Sequence, residues 1–109
     1  MRTGSTHIKA KLTLYSTEHG GRLTGIGTGY RPNHVFEYNK KGEFIQSYIG
    51  QINFENEKLI LPGETDIVTV EFLNLFGIEE FLNIGRKWWI HEAAHKIGEA
   101  EIIQIYKTL

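Results

Sequence analysis

The sequence predicts an all-β fold, a small sandwich or barrel. Two observations carry the prediction. Six or more short runs of β-branched and aromatic residues recur at near-regular spacing. Between them stand turn formers, chiefly glycine: 12 glycines against 2 prolines. A length of 109 residues sets the scale at one domain.

The elements follow in chain order. Residues 7–15 alternate, with Ile8, Ala10, Leu12 and Leu14 on one side and His7, Lys9, Lys11 and Thr13 on the other. Period two marks a half-buried strand. Residues 17–21 end in paired glycines, which reach positive φ cheaply and make a turn. Gly25, Gly27 and Gly29 read as a bulged strand leading to Tyr30-Arg31-Pro32-Asn33. A second strand is expected over 35–38, closed by a turn at Asn39-Lys40-Lys41-Gly42. Residues 44–54 are a further extended candidate. Leu59-Ile60-Leu61 runs into a Pro62-Gly63 turn. Residues 67–73 place Val68, Val70 and Phe72 on one face. Residues 76–84 are ambiguous, because Ile78, Phe81 and Leu82 have the spacing of a helical turn. Residues 87–91 and 97–106 are the arms of a last hairpin. Residues 1–6 are expected to be a flexible N-terminal tail, and 7–109 the single folded domain.

Composition narrows function. The chain has 12 basic and 13 acidic residues and a formal net charge of −1. No global positive field draws it to nucleic acid or to an anionic membrane, although a local basic patch is compatible with that balance. Without cysteine, there is neither a disulfide framework nor a thiolate nucleophile or ligand. The small, polar N-terminus lacks the apolar stretch of a signal peptide, and no run approaches a membrane span, so a cytoplasmic protein is expected.

One motif has the look of an active site. His91-Glu92-Ala93-Ala94-His95 fits H-E-x-x-H. On a helix, His91 and His95 would share a face and bind zinc, while the glutamate polarises a metal-bound water. The two alanines favour a helix locally. Against this, the flanking Trp88-Trp89-Ile90 and Ile102-Ile103-Gln104-Ile105-Tyr106 suit strands. A third ligand is also poorly placed, since Glu99 would extend the same helical face. A hairpin tip carrying polar residues is the favoured reading. The chain has no G-x-S-x-G, no phosphate loop and no dinucleotide fingerprint. Alternation turns one of the two tryptophans inward and the other outward. An exposed Trp89 beside Lys87 would offer a stacking platform.

Three ordered blocks carry a resemblance. Glu18-His19-Gly20-Gly21-Arg22-Leu23-Thr24, followed by Gly29-Tyr30-Arg31-Pro32-Asn33, is similar to E-G-G-R-H-T and G-Y-R-P-Q. Leu59-Ile60-Leu61-Pro62-Gly63-Glu64 is similar to M-V-M-P-G-D. The segment from Trp88 to Gly98 parallels F-A-I-R-E-G-G-R-T-V-G. Over about residues 7–106 the chain thus resembles the C-terminal, third domain of elongation factor Tu and related translation GTPases. The resemblance implies a single six-stranded antiparallel β-barrel without catalysis, and it places His91–His95 at a hairpin. It also implies a face that grips the T-stem backbone of aminoacyl-tRNA. The matching positions are Arg31, Asn33 where the family has glutamine, Glu92, and Ala93 where it has glycine. His95 stands where the family has arginine, and Lys96 adds a neighbouring charge. Ala93-Ala94 replace a glycine pair, so a turn unlike the family's is expected. Residues 40–58 and 78–85 are longer than the family's and unlike them.

The function expected is that of a non-catalytic binding module acting on a protein, either a translation-related partner or a toxin held by an immunity-type protein. The alternative is tRNA or RNA binding, and a zinc hydrolase on His91 and His95 comes third. Arg31, Asn33, Trp89, Glu92, His95 and Lys96 are the candidate binding residues. A monomer is expected, with no cofactor, no GTP and no membrane partner.

Overall fold

Alternating apolar side chains build the first strand, and the computed structural model, which describes residues 4–106, carries that pattern around a closed barrel. Strand β1 (Ser5–Leu14) turns Ile8, Ala10, Leu12 and Leu14 inward, each nearly inaccessible to solvent. It begins at Ser5, before the expected end of the tail. Thr6 pairs with Phe72 in the ladder, and its hydroxyl donates to Asn74 Oδ1 at 2.7 Å, which fastens those residues. Residues 1–3 of the expected tail lie outside the described residues.

The remaining strands are β2 (Ile26–Gly27), β3 (Asn33–Val35), β4 (Tyr48–Asn53), β5 (Leu59–Ile60), β6 (Thr65–Leu73), β7 (Lys87–Glu92) and β8 (His95–Ile105). Six of them close an antiparallel barrel in the order β1-β6-β4-β3-β7-β8, with β8 pairing back onto β1. Closure leaves no open sheet edge in the barrel. The short β2–β5 ribbon lies apart from the ladder and sends Ile26 and Ile60 into the core. The fold is therefore all-β, a six-stranded antiparallel barrel.

Two strand expectations are corrected. The strand expected over 35–38 ends at Val35, because Phe36 turns into the core and stacks on Trp88 at 5.6 Å and on Phe81 at 5.3 Å between centroids. Tyr38 instead lies against Trp89. The extended run expected from 44 is a strand only from Tyr48, since Phe44 leaves the ladder to pack edge-on against His91. The ambiguous stretch forms a 3₁₀ turn, Ile78–Phe81, that buries both of its end residues.

The core holds one polar group of consequence. His34 is fully buried; its Nδ1 accepts from the Trp88 indole at 3.0 Å, and its Nε2 lies 3.0 Å from the Gly50 carbonyl. That pair of partners fixes the neutral tautomer with the proton on Nε2. Gly50 itself is dictated by space. A Cβ there would stand 2.7 Å from the Phe72 ring and 3.0 Å from His34 Nε2.

Candidate functional site

The candidate residues gather where β3, β7 and β8 meet, and the hairpin between β7 and β8 sorts them. Glu92 pairs with His95, while His91 pairs with Lys96. Residues directly opposite in an antiparallel ladder share a face, and successive residues alternate. His91 and His95 therefore lie on opposite faces of the hairpin. The shared helical face that H-E-x-x-H chemistry requires is not formed. The motif folds as strand because Trp88 and Ile90 before it, and Ile97 and Ile102 after it, are all fully buried in the barrel. Among the described residues, no three histidines, aspartates or glutamates cluster as a metal site.

Glu92 and His95 lie at the barrel rim. Arg22 Nη1 donates to the Glu92 carboxylate, and so does the Tyr30 hydroxyl. Arg22 also reaches Tyr30 Oη at 3.1 Å, and its guanidinium lies 5.3 Å from that ring's centre. Its remaining nitrogens donate to Thr24, Nε to the carbonyl at 3.1 Å and Nη2 to the hydroxyl at 3.2 Å. All three guanidinium nitrogens are thus engaged. Burial pushes the Tyr30 hydroxyl pKa well up, its hydrogen bond to Glu92 adds to the rise, and Arg22 opposes it. His95 Nε2 lies 2.6 Å from the Gly20 carbonyl, which ties the hairpin tip to the loop that presents Arg22. That loop depends on its glycine pair. Gly20 sits at φ 88°, and a Cβ on Gly21 would fall 2.0 Å from the Tyr15 carbonyl oxygen.

The outer face carries Asn33, Trp89, His91 and Lys96. Asn33 pairs with His91 across β3 and β7. The chain leaving β3 folds over this face and brings Tyr38 and Phe44 onto His91. Tyr38 Oη lies 2.5 Å from His91 Nε2, and the Phe44 ring is 4.9 Å from the imidazole. His91 is consequently 3% exposed. Burial lowers its pKa from the ordinary imidazole value; the Ala94 backbone opposes this, and the charges of Lys96 and His95 deepen it. Burial also raises the Tyr38 hydroxyl to about 12. Trp88 is inward and Trp89 half-buried, as alternation requires. The cation beside Trp89 is Lys96, not Lys87. Its Nζ lies 5.5 Å from the Trp89 ring and 4.7 Å from that of Tyr38, which itself packs edge-on against Trp89. The expected stacking platform is therefore already partly covered.

Arg31 stands exposed on the chain entering β3, with no ion pair or hydrogen bond among the described residues. Of the six candidates, the structure brings Asn33, Trp89 and Lys96 to one face and Glu92 and His95 to the other. Sequence reasoning missed Arg22 and Tyr30 as the partners of Glu92, and Tyr38 as the cover of His91. The Gly20-Gly21 pair ahead of Arg22 was the available signal, since a tight glycine turn places the next side chain. Among the described residues, no helix is long and apolar enough to cross a membrane. No protein-family model matches the chain.

Proposed function

We propose that this chain is a non-catalytic, protein-binding β-barrel related to the C-terminal domain of elongation factor Tu. Its partner is a translation-related protein, or a toxin that the barrel holds as an immunity-type protein would. The observation that carries the reading is the internal pairing of the charged groups at the positions that match the family's tRNA contacts and beside them. Glu92 is held by Arg22 and Tyr30, His95 by the Gly20 carbonyl, and Lys96 by two aromatic rings. Phosphate affinity grows with the number of cations free to displace counterions. Arg31 is the one candidate cation left without such a contact among the described residues.

The test is affinity capture with the tagged full chain from its native cell, with protein and RNA analysed separately. A discrete protein retained in stoichiometric amount, with RNA at the level of the empty support, is expected. RNA that is retained, falls steeply with added salt and drops on Arg31→Ala would establish the tRNA-binding alternative instead.

A further inference from the structure

The two segments that depart from the elongation factor pattern pack against each other. The loop after β3 and the 3₁₀ turn at Ile78–Phe81 enclose a cavity of about 230 Å³. Its lining includes Glu37, Tyr38, Ile45, Tyr48 and Phe81. This is smaller than the roughly 300–1,000 Å³ of sites for drug-sized ligands. It has the size of a side chain.

The walls are of two kinds. Tyr48 and Phe81 are each only 8% exposed, and their rings meet edge-on at 6.0 Å, giving a rigid aromatic floor. Ile45, at 88% exposed, forms an apolar lip. Tyr38, Asn39 and Gln46 spend their polar groups within the chain, whereas those of Tyr48 and Glu37 are unspent. The Tyr48 hydroxyl has no hydrogen-bond partner among the described residues, although the residue is only 8% exposed. The carboxylates of Glu37 and Glu80 have no ion-pair partner there either, and both act electrostatically on Tyr48. Lys40 and Lys41 on the adjoining turn are exposed and pair with neither. An aromatic floor, unpaired carboxylates and an unpartnered tyrosine hydroxyl at the pocket wall together specify a cation with a flat or aliphatic body.

We propose that this pocket receives an arginine side chain of the partner protein, its guanidinium meeting the Glu37 carboxylate and the Tyr48 hydroxyl while its body lies against Ile45 and Tyr48, since the Phe81 ring is already covered by Phe36 and the Arg86 guanidinium. A planar guanidinium satisfies carboxylates in bidentate fashion and stacks on aromatic faces, which an ammonium does less well. The inference rests on the protein-binding reading and names the chemistry of the contact.

The experiment is an NMR titration of the isotope-labelled full chain with N-acetyl-arginine amide, using N-acetyl-norleucine amide as the uncharged control. Saturable shifts at Ile45, Tyr48 and Phe81 are expected with the arginine probe only. Glu37→Gln should weaken the probe about tenfold, the scale of one charged hydrogen bond. Tyr48→Phe, which keeps the ring, should weaken it without disturbing the rest of the spectrum. Absence of shifts at these residues, equal shifts with norleucine, or unchanged affinity in Glu37→Gln would each overturn the pocket. Those results leave the protein-binding reading standing if the capture experiment retains a protein. Capture of no protein, with probe binding intact, would sink that reading and not the pocket.

Discussion

At the scale of single residues, His34 makes the protein sensitive to acid, and the buried His91 adds to that sensitivity with the same sign. Its Nδ1 already accepts the Trp88 indole proton, so a second proton there would set two donors against each other inside a dry core. Burial accordingly lowers its pKa from 6.5 to about 4, with the Gly50 carbonyl opposing. The sign of the linkage follows. Between those two values the unfolded chain binds a proton that the folded chain refuses, so stability is complete above pH 6.5 and declines as pH falls toward 4. The full span corresponds to about 3 kcal/mol. Chemical denaturation followed from pH 7 to pH 4 should show that loss, and His34→Gln should flatten the slope in the same window. An unchanged slope would mean that other groups carry the acid sensitivity. The Arg22–Glu92 pair at the rim contributes less to stability, because Glu92 remains 41% exposed and water screens it.

At the scale of elements, the β7–β8 hairpin shows both how far sequence reasoning reaches and where it stops. The buried Trp88, Ile90, Ile97 and Ile102 were legible as strand residues from alternation and β-branching alone. So were β1 and β6, whose inward rows match the expected ones residue for residue. The hairpin at His91–His95 was legible from the strand residues on either side of it, the resemblance placed it there as well, and the barrel pairing agrees. What alternation could not supply was the partner of each outward or rim side chain. Arg22 reaches Glu92 across 70 positions of chain, and Tyr38 reaches His91 across 53, so neither contact leaves a local pattern. Strand ends over 35–38 and 44–47 were misplaced for a related reason: Phe36 and Phe44 have β propensity, but tertiary packing draws them out of the ladder. The hairpin also carries a local cost. Ala93 occupies the left-handed region at φ 52°, where an L-residue loses roughly 1–2 kcal/mol relative to its usual basin. Ala93→Gly should relieve that strain, less the larger entropy of glycine in the unfolded chain, for a net gain of about 0.5–1 kcal/mol by denaturant titration. A loss of stability on that substitution would show that the turn does not hold Ala93 at positive φ.

At the scale of the whole molecule, closure turns six strands into a platform with two differently equipped surfaces. β1 lies between β6 and β8, and β3 between β4 and β7, so no barrel strand is left with a free edge. Such pairings are mostly non-local, which makes the fold slow to form but cooperative once formed. The barrel was legible as a class because strand spacing and glycine turns are sequence properties. The arginine pocket was not, because it exists only where the loop after β3 meets the 3₁₀ turn at Ile78–Phe81, and neither segment signals the other. The functional reading depends throughout on residues 87–105 being paired strands that set His91 and His95 on opposite faces. Cross-strand NOEs measured on the labelled protein test this most directly. The fold requires contacts joining His91 to Lys96, Glu92 to His95, and Asn33 to His91, together with β1–β8 contacts such as Leu12 to Ala100. A continuous ladder of i to i+3 contacts running through His91, Glu92 and His95 would contradict it, restoring the histidines to one helical face.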